Sequence, residues 1–81
     1  METEEYSIGA SIKEKLAEQE RSEAWLARKV HCDPGNFNRM LKKRSIDMDL
    51  LRRISLALGY NFVLEYARIV GRQMSERSDM P

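Results

Sequence analysis

Apolar residues recur along this chain in short helical rows, each introduced by a residue suited to cap a helix. Ser7 precedes Ile8, Ile12 and Leu16, which fall four apart, while Lys13, Glu14, Lys15 and Glu18 occupy the water-facing positions. Gly9 interrupts this row at a cost of roughly 1 kcal/mol relative to Ala, unless it lies in a fraying first turn or a close contact needs it. Ser22 opens a second row, in which Leu26 and Val30 share a face with the small Ala27. Asp33 caps a third, with Pro34 at the first helical position and Phe37, Met40 and Leu41 as the stripe. Asp47 caps a fourth, where Leu51, Ile54 and Leu58 are widened by Leu50 and Ala57 and Gly59 ends the helix. Cys32 with Phe37, and Ile46 with Leu51, stand where hydrophobic staples form. Phe62, Tyr66, Ile69 and Val70 have the spacing of a fifth helix over about 61–70, but Phe62-Val63-Leu64 reads equally as the start of a strand. The pattern predicts an all-α, compact four- to five-helix bundle over residues 7–70. It leaves a flexible acidic N-terminus at 1–6 and a flexible polar tail at 71–81.

Only His31 and Cys32 separate the second and third rows. Helices so closely joined must cross steeply and share one small core, as in a helix-turn-helix. Leu26-Ala27, Phe37 and Met40 then carry a resemblance: the stretch from about Ile8 to Tyr66 resembles lambda-repressor-like helix-turn-helix domains of the Cro/XRE type. Small Ala27 stands where that family lets the second helix of the pair pack closely. The sequence departs from the pattern at three places. His31 holds the turn position usually given to Gly, and His tolerates a left-handed conformation better than most residues. Glu23 replaces a frequent Gln, and Pro34-Gly35 stand where base-reading side chains often project.

Composition narrows the function classes. Eighty-one residues allow one domain, and 42% hydrophobic with 33% charged residues is ordinary for a globular protein. One Cys forms no internal disulfide, and no apolar run or leader-like N-terminus is evident, so a cytoplasmic location is expected. The net charge of +1 hides an uneven distribution. Residues 1–20 hold two Lys against six Glu, residues 21–44 seven Lys or Arg against Glu23 and Asp33, and residues 45–81 five Arg against five acids. The positive block coincides with the paired helices, as an electrostatic footprint on one face requires. Enzymatic chemistry is not expected: there is no Gly-rich phosphate loop, and a bundle of this size encloses little. His31-Cys32-Asp33 holds metal-ligand and nucleophile types, but adjacent residues in a tight turn close no tetrahedral site and orient no Cys–His pair. They are expected to be structural, and no cofactor or metal is implied.

The helix at 34–43 is the expected reading head, inserted into the major groove of double-stranded DNA. Asn36, Asn38 and Arg39 are the candidate base contacts, because Asn pairs bidentately with adenine and Arg with guanine. Lys42, Lys43 and Arg44 follow where the resemblance implies a loop along the sugar–phosphate backbone. Arg21 and Ser22, at the start of the second helix, are candidates for a further phosphate. Trp25 is expected in the core or at its edge, not as a stacking platform. Phe62, Tyr66, Ile69 and Val70 are the candidate surface of a homodimer reading a palindromic operator. The functional expectation is a sequence-specific DNA-binding transcriptional regulator, a repressor, acting on no small-molecule substrate and no membrane. The alternative is a protein-interaction module, for instance the antitoxin component of a toxin–antitoxin pair. RNA binding ranks third, because the aromatic residues form no stacking sheet.

Overall fold

Among the described residues, five side chains start five helices. Ser7, Ser22, Asp33, Asp47 and Asn61 each accept the backbone N–H three residues ahead, at 3.2, 3.0, 3.1, 3.0 and 2.9 Å. In the computed structural model, which describes residues 6–76, they introduce α1 (Ile8–Glu18), α2 (Glu23–Lys29), α3 (Pro34–Leu41), α4 (Met48–Leu58) and α5 (Phe62–Glu76). No strand occurs among the described residues, so the open choice at Phe62-Val63-Leu64 resolves to helix. Asn61 supplies the start, and Phe62, Glu65 and Ile69 turn inward at helical spacing.

Three helices end in the same way. Glu20, His31 and Gly59 have φ of 58°, 61° and 65°. The following N–H, of Arg21, Cys32 and Tyr60, reaches back to the carbonyl of Leu16, Ala27 and Ser55 at 2.9, 2.8 and 3.1 Å. This is the Schellman closure, which reverses the chain within two residues and satisfies carbonyls that a helix end leaves open. It explains how α2 can pass to α3 through so short a link.

The core contains Ile8, Ile12 and Leu16 of α1, Leu26, Ala27 and Val30 of the α2 segment, Phe37 and Leu41 of α3, Leu50, Leu51, Ile54 and Leu58 of α4, and Phe62 of α5. Every apolar row read from the sequence supplies residues to it. Gly9 is where α1 crosses α3: a Cβ there would lie 1.8 Å from the carbonyl oxygen of Leu41. The close-contact account of that glycine is therefore the correct one. Polar ties hold the periphery. Gln19 Nε2 donates to the Leu58 carbonyl at 2.8 Å, and Arg53 Nη1 donates to the Val30 carbonyl at 2.7 Å, joining α1 and α2 to α4.

The ends differ from the sequence reading. Helix α5 continues past Val70 through Gly71 to Glu76, because Gly71 meets no steric or dihedral demand that would end a helix. Tyr6, placed in the frayed N-terminus, is half-buried instead. Its hydroxyl donates to Glu65, and its ring centroid lies 5.8 Å from that of Tyr66. The remaining expectations of flexibility, for 1–5 and 77–81, lie outside the described residues.

Glu65 gathers the N-terminal arm, α1 and α5. Besides Tyr6 it accepts the hydroxyls of Ser11 and Tyr60, both at 2.5 Å. Burial pushes its carboxyl up, but donation from Ser11, Tyr6 and Tyr60 outweighs burial and holds it below the ordinary carboxylate range. Hydrogen bonding to Glu65 in turn raises the Tyr60 phenol.

Candidate nucleic-acid interface

Helix α3 is buried along Phe37 and Leu41 and half-buried at Met40, which turns its other face outward. Asn36 and Arg39 lie on that face, three residues apart and exposed, and Lys42 and Lys43 continue it into the turn that closes the helix. Arg39 Nη2 donates to Asn36 Oδ1 at 3.0 Å. Two of the three expected base-reading side chains are thus brought together and pre-oriented by each other. An Arg whose amide partner is already in place still has guanidinium donors to spare for a base edge.

Asn38 stands elsewhere. It is half-buried, and its Nδ2 donates to Glu23 Oε1 at 2.8 Å, while Glu23 Oε2 lies 3.9 Å from Lys13 Nζ. In this arrangement the amide donor of Asn38, expected as a base contact, faces α2 and ties the two helices together. Two positions from Asn36 on a helix is a rotation of about 200°, which takes it off the outward face. This chain of Lys13, Glu23 and Asn38 across three helices was not read from the sequence. The one signal for it was the acidic residue at the start of α2, which needs a donor partner if it is half-buried.

The expected phosphate-contacting residues form two groups. Lys42, Lys43 and Arg44 are exposed in the segment after α3. Arg21 and Ser22 sit at the start of α2, where Ser22 Oγ caps the Trp25 N–H. Arg21 does not extend freely into solvent: its guanidinium stacks 4.3 Å from the Trp25 ring centroid, with Lys29 Nζ at 5.6 Å from the same ring. Trp25 is half-buried at the edge of the core, in keeping with its expected place, and its exposed side carries these cations. Arg28 adds a further exposed cation on α2.

The expected dimer residues separate as well. Phe62 is fully buried within its own chain and is not an outward-facing residue, and Ile69 is half-buried. Tyr66 and Val70 are 51% and 40% exposed. Among the described residues there is no cluster of three metal-ligating side chains, and no helix is long and apolar enough to cross a membrane.

The chain matches no family model, no curated protein and no solved structure.

Proposed function

We propose that α2 and α3 are a helix-turn-helix of the lambda-repressor-like type, and that this protein is a sequence-specific DNA-binding transcriptional regulator acting as a repressor. The observation that supports this reading is the outer face of α3, where Asn36 and Arg39 are paired in the open and Lys42 and Lys43 follow directly. In the proposed complex the helix at 34–43 enters the major groove. Arg39 donates to a guanine edge with Asn36 beside it, and Lys42 and Lys43 hold phosphates. Arg21, lifted from the Trp25 ring, and Lys29 reach a phosphate flanking the groove. Asn38 and Glu23 position α3 and touch no base. Only two side chains then read bases, so DNA shape contributes to the choice of operator.

Selection from random duplex DNA across a salt series tests this. With about four phosphate contacts per half-site and two half-sites, log affinity should fall against log salt with a slope near −7. An enriched palindrome with half-sites about 34 Å apart is the expected product if two copies act together. Absence of binding at low salt by folded protein would overturn the proposal. The rival reading, a protein-interaction module such as an antitoxin, is favoured by one observation, the run of exposed apolar side chains on α4 and α5.

A further inference from the structure

The chain enters the described fold beside a groove. Tyr6, the first described residue, is half-buried and held on α5 by two contacts. Its hydroxyl donates to Glu65, and its ring packs on that of Tyr66. Tyr66 is also one wall of a small groove, whose other apolar walls are Ile8, Ile46, Met48 and Leu51 and which Arg44 and Ser45 complete. Its volume of about 80 Å³ is far below the roughly 300–1,000 Å³ of a small-molecule pocket, so a stretch of chain laid across it suits its size better than a ligand within it. Arg44 is the one charged residue lining the groove, and Lys42 and Lys43 directly precede it. Neither lysine has an ion-pair partner among the described residues.

Residues 1–5 lie outside the described residues and read Met-Glu-Thr-Glu-Glu. Three carboxylates in five positions thus adjoin three consecutive cations, Lys42, Lys43 and Arg44. Five residues span at most about 17 Å, and they start from a tyrosine already packed on a wall of the groove. Ion pairs at a protein surface are weak between separate molecules. A segment tethered this closely is different, because a short linker supplies an effective concentration in the millimolar range.

We propose that Met1–Glu5 docks across this groove and sets its carboxylates against Lys42, Lys43 and Arg44. The docked arm is an internal rival of nucleic acid. This consequence rests on the proposed function, in which the segment after α3 holds phosphates; the docking itself does not. Phosphates and glutamates then compete for the same cations, and DNA has to displace the arm. The arm acts only on contacts that position the protein, so it lowers affinity for all sequences alike and leaves discrimination between bases intact.

Carbodiimide joins a carboxylate to an amine only where the two are in contact. In the whole chain without DNA, peptide mapping after this treatment should find Glu2, Glu4 or Glu5 joined to Lys42 or Lys43. Links to Lys13, Lys15 or Lys29 instead, or no link, would overturn the docking. Glu2→Gln, Glu4→Gln and Glu5→Gln together should raise affinity for random duplex DNA about tenfold at low salt, and the gain should shrink as salt screens both pairings. Tyr6→Ala removes the anchor without changing net charge. It should raise the same affinity about threefold while helix content by circular dichroism persists. A gain from the three glutamines with none from Tyr6→Ala would reduce the arm to a diffuse charge and overturn its role as a rival. If the cross-link forms but neither wild type nor variants bind DNA, the docking stands and the proposed function fails.

Discussion

Gly9 and Leu41 illustrate how much rests on single atoms. Any side chain at position 9 drives into the Leu41 carbonyl, which is backbone and cannot rotate aside. Gly9→Ala should therefore destabilise the protein by about 3 kcal/mol, the upper end for overpacking, despite Ala's better helix propensity. Urea unfolding measures this, and an unchanged midpoint would show that α1 and α3 do not cross as closely as described. At the reading face the proposal separates neighbouring residues by their kind of loss. Arg39→Ala should cost about 1–3 kcal/mol of DNA affinity and relax preference at one base pair. Lys42→Ala should weaken all sequences alike and flatten the salt slope by about 1. Equilibrium binding to matched and mismatched duplexes distinguishes the two. Helical spacing made the shared exposed face of Asn36, Arg39 and the lysines legible in the sequence. It could not show that Asn38 is taken by Glu23, because that bond depends on the angle between α2 and α3.

At the scale of elements, starts were easier to read than ends. Ser7, Ser22, Asp33 and Asp47 carry the oxygen that a helix start needs, and each acts as its residue type suggests. Ends depend on backbone conformation, which few residue types announce. Gly59 was legible, and His31 was legible as a residue that tolerates a left-handed turn. Glu20 gave no sign, since nothing in a glutamate favours φ of 58°. The end of α5 was misread for the converse reason, because a lone glycine permits a helix to stop without requiring it. Left-handed φ costs a residue with a Cβ roughly 1–2 kcal/mol, part of which glycine's greater freedom when unfolded takes back. His31→Gly and Glu20→Gly should each raise stability by about 0.5–1 kcal/mol, read from thermal or urea unfolding. Gly59→Ala should lower it by about 1 kcal/mol.

Across the whole molecule, the carboxylate of Glu65 joins segments far apart in the chain, and its protonation is linked to folding. Its folded pKa lies below its unfolded one, so its contribution is complete above the ordinary glutamate value near 4.3 and is lost as pH falls through the folded value. Acid unfolding followed by circular dichroism should therefore show stability falling below about pH 4.5. Glu65→Gln should lower stability at neutral pH and flatten that fall, and an unchanged acid profile would remove Glu65 from the account. The all-helical fold was legible because hydrophobic spacing reports one-dimensional periodicity well. The convergence of Tyr6, Ser11, Tyr60 and Glu65 was not, because no local pattern relates residues fifty positions apart.

The chain has one tryptophan, and Arg21 and Lys29 lie against its exposed side. An indole's emission responds to nearby charge, so any anion that draws either cation away alters the fluorescence of this single chromophore. The protein thus carries its own optical reporter at the edge of the proposed contact surface, and a titration can be followed without attaching a dye.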